Sequence, residues 1–168
     1  MQPWTPNLDW ITPELAVGGS FPTERVEHLA RELGIGAVVD LRDEACDDAS
    51  VLRRHGLLFL HLPTLDHHAV SQAMLDDGVA FAAEQAGARR KLLIHCEHGI
   101  GRSALLTLCV LTDRGMAPLE ALALAKDRRA PVSPSPAQFE AWREWLARRG
   151  MAAPDFDAFA EIAYRHLR

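Results

Sequence analysis

The sequence predicts an α/β fold of three layers, in which helices cover both faces of a largely parallel, mixed sheet of four to five strands. Short apolar runs of strand length, such as 37–41 and 91–95, alternate with longer amphipathic stretches of helix length. The short runs are apolar at successive residues, which indicates strands that are buried on both faces, as in a parallel sheet.

The elements follow one another in a regular order along the chain. Gly34 and Gly56 end the first two helices, because glycine readily adopts the left-handed conformation that follows a last helical turn. Apolar residues from 156 to 167 recur at helical spacing and predict a final amphipathic helix. We predict strands at 15–17, 37–41, 57–62 and 91–95, and earlier helices at 23–33, 47–55, 71–86, 103–113, 118–127 and 136–148.

The composition is that of an ordinary globular protein. The chain has 168 residues, of which 48% are hydrophobic and 24% charged, enough for one domain with a sizeable core. A net charge of −5 argues against nucleic acid as a partner. No apolar run approaches the ~20 residues of a membrane span, so we expect no membrane insertion. Three cysteines do not make a disulfide framework, and we expect a reducing, cytoplasmic location.

The domain organisation is simple. We expect one domain over residues 1–150 and, after a break at 150–154, a C-terminal amphipathic helix within 151–168 that packs on the same domain. A monomer follows from this packing; the alternative is a dimer formed through the C-terminal helix.

One segment, His95 to Ser103, reads H-C-x-x-G-x-x-R-S and joins a predicted strand to a predicted helix. A helix N-terminus presents unpaired N–H groups and a partial positive charge to an anion. Two glycines let the backbone turn its amides inward, and an arginine grips two phosphate oxygens with its planar fork. The predicted phosphate site consists of the amides of Glu97, His98, Gly99, Ile100 and Gly101 together with Arg102.

Cys96 is the candidate nucleophile of this site. A thiol beside an arginine at a helix N-terminus ionises more readily than a free thiol, so we expect a thiolate at neutral pH. We expect His95 to orient the loop through hydrogen bonds. The side chains of Glu97 and His98 are placed at the rim, where they either tune substrate choice or are simply exposed.

The segment resembles the signature loop of the cysteine-dependent protein-tyrosine phosphatase superfamily, C-x5-R followed by Ser or Thr. The central position of Cys96, with His95 before it, is similar to the small, atypical dual-specificity branch. Residues 10–19, 37–42 and 62–66 look like the family's opening strand, next core strand and general-acid loop, so the resemblance covers about residues 8 to 150.

The resemblance implies the phosphatase fold and a two-step reaction. Cys96 attacks phosphorus, Asp66 protonates the leaving oxygen, and Ser103 hydrogen-bonds the departing thiolate when water cleaves the cysteinyl-phosphate. No metal or other cofactor is implied. For Asp66 the competing interpretation is a turn or cap residue, which aspartate often provides.

The substrate is left open by the sequence. We expect phosphotyrosine and phosphoserine or phosphothreonine in proteins; the alternative is a phosphoinositide or another small phosphomonoester. Relatives that favour inositol phospholipids carry lysines inside the loop, whereas this loop carries none and has Glu97. Three other classes remain: a phosphate-binding domain without activity, a rhodanese-type sulfurtransferase, and a metal-binding module built from His61, His67, His68, His95, Cys96 and His98.

Several further residues have competing interpretations. Gln138 either positions water or closes a capping box with Ser135, and the box is favoured. Arg128 and Arg129 recruit anionic substrate or are exposed at a helix end. Cys109 is expected in the core, and a disulfide between Cys46 and Cys96 is left open because the sequence gives no distance.

Overall fold

The computed structural model describes residues 3–167, which form one sheet of five strands in the order β1-β2-β5-β3-β4. The first two strands form an antiparallel hairpin, and the other neighbouring strands are parallel. The sheet is therefore mixed and largely parallel, as predicted. The strands are β1 (Leu8–Thr12), β2 (Leu15–Gly18), β3 (Ile35–Arg42), β4 (Leu58–Thr64) and β5 (Lys91–His95).

Helices cover both faces of this sheet, which makes the three layers that the sequence predicts. The bounds are α1 (Val26–Arg31), α2 (Ala49–Arg54), α3 (Gln72–Gly87), α4 (Arg102–Asp113), α5 (Pro118–Arg128), α6 (Pro136–Arg148) and α7 (Phe156–Ala163). The smaller core, with Val38, Leu52 and Leu93, lies under α1 and α2. The larger core, with Val39 and Ile94, lies under the remaining helices, because neighbouring strand residues point to opposite faces.

The hairpin is a difference from the sequence-based prediction. The family resemblance places one opening strand over residues 10–19, but Pro13 and Glu14 make a turn that divides this stretch into β1 and β2, and the strand predicted at 15–17 is β2. Proline has no N–H to donate to a strand ladder, and this favours a turn at that position. β1 is consequently an antiparallel edge strand, half-buried along most of its length.

Two predicted helices are shorter than expected. The helix over 23–33 is a 3-10 turn, Thr23–Arg25, followed by α1. The helix over 47–55 begins only at Ala49, because the Asp48 carboxylate accepts hydrogen bonds from the amides of Ser50 and Val51 and so caps the helix. Asp47 is thereby left outside the helix, free to point under the neighbouring loop.

The C-terminal segment lies against α5 and α6. Phe159 is fully buried and stacks on Phe139 with 4.5 Å between ring centroids, and the Tyr164 hydroxyl donates to the carbonyl of Pro134 at 2.6 Å. The helix ends at Ala163, earlier than predicted, and a 3-10 turn follows it. The division into a catalytic domain and an added helix stays a prediction. Over residues 3–167, no helix combines the length and the apolar character needed to cross a bilayer.

Candidate active site

The loop that joins β5 to α4 lies at the carboxyl edge of the parallel strands. Cys96 is the first residue after β5, is 3% exposed, and has its Sγ 3.2 Å from the Oγ of Ser103 in the first turn of α4. The loop thus places a thiol and a hydroxyl together at a helix N-terminus, where the local potential favours an anion.

The carbonyl groups of this loop are all turned outward and hydrogen-bonded. Because these oxygens face away, the amides of residues 97–102 converge inside the loop, and none of them donates to an acceptor within residues 3–167. Two side chains donate to three of these carbonyls: His95 Nδ1 to that of Cys96 (3.1 Å), and the Arg129 guanidinium to those of His98 (2.9 Å) and Gly99 (2.8 Å). Backbone amides donate to the other three: Ser20 N to the carbonyl of Glu97 (2.9 Å), Ser133 N to that of Ile100 (2.9 Å) and Leu105 N to that of Gly101 (2.8 Å).

Gly99 allows the loop to close this tightly. Its φ is 70°, in the left-handed region, and a Cβ there would lie 2.4 Å from the carbonyl carbon of Gly18 and 2.6 Å from an Nη of Arg129. Any side chain at this position would push the loop off the donors that orient it.

Arg102 presents one free edge of its guanidinium to the site. The residue is 1% exposed, and its two Nη atoms hold the Glu44 carboxylate at 2.6 and 2.8 Å while Nη1 also donates to the carbonyl of Thr64 at 2.8 Å. Its Nε is buried and has no partner within residues 3–167. The Nε and Nη2 hydrogens on that side form the bidentate edge that suits a phosphate.

Glu44 anchors this arginine from the far side. Its hydrogen bonds with Arg102 lower the pKa of the Glu44 carboxyl to about 2, so it is ionised throughout the physiological range. Burial alone would lower the pKa of Arg102, but the hydrogen bonds with Glu44 and the Cys96 charge raise it instead. The arginine is consequently charged and fixed in orientation.

Asp66 lies on the loop after β4 and faces the same cavity as Cys96. Its side chain is 49% exposed, and one carboxylate oxygen lies 3.6 Å from Arg102 Nη2. The backbone around it is held by two hydrogen bonds: Ser135 Oγ donates to the carbonyl of His67 at 3.0 Å, and Gln138 Nε2 donates to the carbonyl of His68 at 3.3 Å. The cavity measures about 300 Å³ and is lined by Asp66 and Cys96 among other residues.

A buried ion-pair network, formed by Asp40, Arg42, Asp47, His95 and Glu97, lies beneath the loop. Arg42 donates to both oxygens of Asp40 at 3.0 and 3.1 Å, to Asp47 at 3.1 Å and to Glu97 at 3.2 Å. His95 Nε2 lies 2.6 Å from the second oxygen of Asp47. The network connects β3 and the α2 loop to the residues on either side of Cys96.

Charge pairing controls ionisation within this network. Burial alone would raise the pKa of Asp40, but the hydrogen bonds from Arg42 and the charge of His95 lower it overall. Burial alone would lower the pKa of Arg42, yet its pairing with Asp40 raises it. Both partners therefore stay charged in the interior, as expected of a buried pair with complete hydrogen bonding.

The predicted site residues come together at this loop. Cys96, Arg102, Ser103 and Asp66 surround or adjoin one cavity, and His95 lies directly beneath the loop. Ile100 and His98 are exposed at its rim. Their catalytic roles stay predictions.

The Glu97 side chain is 38% exposed, but it turns toward the network and is not free at the rim as expected. It binds Arg42 at 3.2 Å and Ser20 Oγ at 3.1 Å, because the cation buried in the network draws the carboxylate back toward the sheet. Only its amide belongs to the anion cradle.

Other predictions have mixed outcomes. The capping box between Ser135 and Gln138 is confirmed, and Cys109 is fully buried as expected. Arg128 is exposed, but neither interpretation of Arg129 is right, because its guanidinium is buried against the loop carbonyls. Cys46 is a free, exposed thiol that donates to the carbonyl of Asp47.

The metal-binding interpretation does not fit these positions. Within residues 3–167, the groups of ligand atoms close enough to share an ion are Asp40 with Cys46 and His61, and Asp40 with Asp47 and His95. Neither group contains Cys96. Both share Asp40, whose oxygens already accept four hydrogen bonds from Arg42 and the amide of Asp47.

Three residues that the sequence analysis did not single out complete the site: Glu44, Asp47 and Arg42. The spacing of Asp40 and Arg42 at the end of a strand was a usable signal, since alternate strand residues share a face. Glu44 and Asp47 lie in an acidic run that is typical of a solvated loop, and nothing in the sequence marks which acids turn inward.

Comparison with known families agrees with this geometry. Residues 5–151 match the model of the PTP-SAK family, described as a Swiss Army Knife protein, DSP-PTPase phosphatase domain. The matched range contains every predicted site residue.

Curated relatives are dual-specificity phosphatases. The chain is 34% identical over 79 residues to the dual specificity protein phosphatase Mpk3 of Drosophila melanogaster, covering 46% of this chain and 19% of that protein. It is 30% identical over 111 residues to the human dual specificity protein phosphatase 12, covering 66% of this chain and 32% of that protein. The chain thus spans less than a third of the length of these relatives.

Solved structures share the fold over most of the chain. Tk-PTP in the active form superposes with a TM-score of 0.78 at 27% identity, covering 85% of this chain and 98% of that one. PTPMT1 in complex with PI(5)P gives 0.79 at 21% identity, covering 86% and 99%. Human DUSP28 gives 0.76 at 22% identity, covering 89% and 99%. The last two likenesses, at lower identity, concern the fold alone.

Proposed function

We propose, for a chain that belongs to the PTP-SAK family of DSP-PTPase phosphatase domains, that the protein hydrolyses phosphomonoesters with Cys96 as nucleophile. The observation that carries the proposal is the cradle itself: convergent amides from 97 to 102, and a buried Arg102 whose Nε side is free. This arrangement binds a tetrahedral oxyanion directly in front of a thiol, and Asp66, 3.6 Å from Nη2, lies close to that edge without a hydrogen bond to it.

The reaction follows from the positions of the groups. The amides and Arg102 hold the three non-bridging oxygens, and the Cys96 thiolate attacks phosphorus in line with the leaving oxygen. The P–O bond breaks as the P–S bond forms, and Asp66 gives its proton to the departing alkoxide or phenoxide. Water then cleaves the P–S bond with Asp66 as base, while Ser103, 3.2 Å from the sulfur, stabilises the departing thiolate.

The substrates we propose are phosphotyrosine and phosphoserine or phosphothreonine in proteins. The curated relatives are named dual specificity protein phosphatases, which supports this class. The alternative is a phosphoinositide or another small phosphomonoester. We include it in the test because the chain shares its fold with PTPMT1, which was solved in complex with PI(5)P. We favour proteins because the loop between Cys96 and Arg102 carries no lysine.

We also propose that the chain acts as a monomer in the cytoplasm without a cofactor or nucleic acid. The apolar face of α7 is covered by α5 and α6, which supports the monomer. A reducing compartment supports the chemistry, since the nucleophile must be a free thiol.

The test compares wild-type protein and Cys96→Ser in EDTA, on an aryl phosphate, a panel of phosphopeptides and a panel of phosphoinositides. We expect the wild type to turn over the aryl phosphate and the peptides. Cys96→Ser should have no turnover but should still bind vanadate or phosphate, because the cradle is unchanged. Cys109→Ser, a substitution of a buried thiol far along α4, is the matched control and should keep its activity.

Several outcomes would contradict the proposal. Turnover by Cys96→Ser at the wild-type rate would remove the nucleophile assignment. Activity lost in EDTA and restored by zinc would favour metal chemistry. Turnover confined to the phosphoinositides would replace the protein substrates with the alternative.

A further inference from the structure

We propose that Asp47 is a positioning residue that keeps His95 as an imidazolium and, through it, promotes ionisation of the Cys96 thiol. The proposal rests on the proposed function of Cys96 as nucleophile. It concerns a residue that never contacts substrate, since Asp47 is buried beneath the loop and within the ion-pair network.

The two ring nitrogens of His95 each face an atom that can only accept a hydrogen bond. Nε2 lies 2.6 Å from a carboxylate oxygen of Asp47, and Nδ1 lies 3.1 Å from the carbonyl oxygen of Cys96. Neutral imidazole has one N–H and would leave one of these contacts without a proton. The Arg42 guanidinium already donates to the other oxygen of Asp47 at 3.1 Å, so a second proton on the His95 ring would satisfy both contacts of the ring.

The charges around the ring point the same way. The His95 side chain is fully buried, with Asp40 of β3 3.9 Å from Nε2 and the Phe21 ring 5.0 Å from its centroid. The network holds two buried carboxylates, Asp40 and Asp47, and the half-buried Glu97, and Arg42 is its only other cation among the described residues. Uncompensated carboxylates are strongly disfavoured in the interior, which favours a second cation at His95.

The imidazolium acts on Cys96 in two ways. First, its Nδ1–H donates to the carbonyl of Cys96 itself and so keeps that carbonyl turned away from the cradle. Second, its positive charge belongs to the residue that precedes Cys96, and a nearby cation favours the thiolate. Asp47→Asn keeps the size of the side chain but removes the negative charge that holds a proton on Nε2 of His95. The ring would then keep its Nδ1–H and lose its positive charge.

The experiment measures alkylation by iodoacetamide against pH, with no substrate present. Cys96 and Cys46 fall on separate tryptic peptides, 92–102 and 43–53, so mass spectrometry follows each thiol in one sample. In Asp47→Asn we expect the midpoint for Cys96 to move up by about one pH unit. The acid limb of kcat/KM should follow, with a loss of about tenfold below the midpoint and little change on the alkaline side.

Cys46 provides an internal control of opposite sign. Burial, and then the charges of Asp40 and Asp47, raise the pKa of the Cys46 thiol. Removing the Asp47 charge should therefore make Cys46 ionise at lower pH while Cys96 ionises at higher pH. A simple loss of negative charge would move both thiols down together, and that result would overturn the proposal.

Two further variants separate positioning from general damage. Asp43→Asn, an exposed neutralisation in the same loop, should leave both midpoints unchanged. In a His95→Asn background, Asp47→Asn should add no further shift for Cys96, and a full additional shift would overturn the proposal.

Nitrogen-15 NMR of wild-type His95 tests the proposal without any variant. Two protonated ring nitrogens at neutral pH are expected, and a neutral ring would overturn it. Failure of the proposed function would give a different result from these: the wild-type protein would not hydrolyse phosphomonoesters.

Discussion

Arg129 offers the sharpest test of how the anion cradle is built. The residue follows α5, is 3% exposed, and donates to the carbonyls of His98 and Gly99 at 2.9 and 2.8 Å. Its other hydrogens go to Asn7 and Asp9 near β1, each at 2.9 Å. Arg129→Met keeps most of the aliphatic volume and removes all four hydrogen bonds.

The expected loss of stability can be worked from these contacts. Hydrogen bonds from a charged donor contribute about 1.5–3 kcal/mol each, so the two loop carbonyls together account for about 3–6 kcal/mol. The Asp9 carboxylate is 46% exposed and regains water, so its pair adds little. Water that enters behind the loop can hydrogen-bond the two released carbonyls and offsets part of this loss. We therefore expect the free energy of unfolding to fall by about 2–4 kcal/mol. For a chain of this size that lowers Tm by roughly 4–16 °C.

Activity should fall further than stability suggests. With the carbonyls of His98 and Gly99 released, the peptide groups can rotate and turn amides away from the phosphate. We expect kcat/KM on an aryl phosphate to fall about 10²–10³-fold, the usual effect of losing an oxyanion donor, and vanadate affinity to fall with it. Thermal unfolding, steady-state kinetics and vanadate titration measure the three quantities.

The neighbouring Arg128 is a matched control, because it is exposed and belongs to the same helix end. Arg128→Met should change none of the three quantities appreciably. The reasoning would be refuted if Arg129→Met retained wild-type kcat/KM and vanadate affinity, or if it lost activity while binding vanadate normally.

Two other predictions concern single acids. Asp66→Asn should slow hydrolysis of phosphotyrosine about 10²–10⁴-fold and should matter much less for a leaving group that departs as a stable anion. It should also abolish the alkaline limb of the profile of kcat/KM against pH. Full activity of the variant on phosphotyrosine would mean that another group gives the proton. Asp40→Asn should lower the free energy of unfolding by about 1–3 kcal/mol at neutral pH, because it removes one charged acceptor of buried Arg42 and leaves Asp47 and Glu97 as its remaining carboxylate partners. Pairing lowers the pKa of Asp40 in the folded state, so its stabilisation is complete above the ordinary aspartate pKa of about 3.9 and is lost as pH falls through the folded value. In urea unfolding, the difference in free energy of unfolding between wild type and Asp40→Asn should therefore shrink as pH falls through this interval. A difference that grows on acidification would contradict the assignment.

The strands and the cradle could be predicted because both depend on local patterns. β5 is a short apolar run with Gly99, Gly101 and Arg102 at fixed spacing after it, and that spacing alone defines a turn into a helix N-terminus. The same is true of the box formed by Ser135 and Gln138, which closes over four residues. Such features need no knowledge of what packs beside them.

The supporting residues could not be predicted because their partners are distant in sequence. Glu44 meets Arg102 across 58 positions, and Asp47 meets His95 across 48. In the sequence both acids belong to a polar run that is indistinguishable from a solvated loop. Arg129 looked like an ordinary helix-end cation because its acceptors are main-chain carbonyls, which carry no sequence signal.

The outward hydrogen bonds of the loop imply that the site assembles only when the whole sheet edge is in place. The loop carbonyls receive donors from the segment after β2, from β5, from α4, from the end of α5 and from the segment before α6, so no contiguous piece of the chain can orient the amides. A Cβ on Gly19 would lie 2.7 Å from the carbonyl oxygen of Glu97, which shows how closely the hairpin backs the loop. Amides crowded around a common centre repel one another and would relax if the carbonyls were free. The fold therefore holds the loop in a conformation that is stable only with its donors in place, and the positive potential at Cys96 exists before any phosphate arrives.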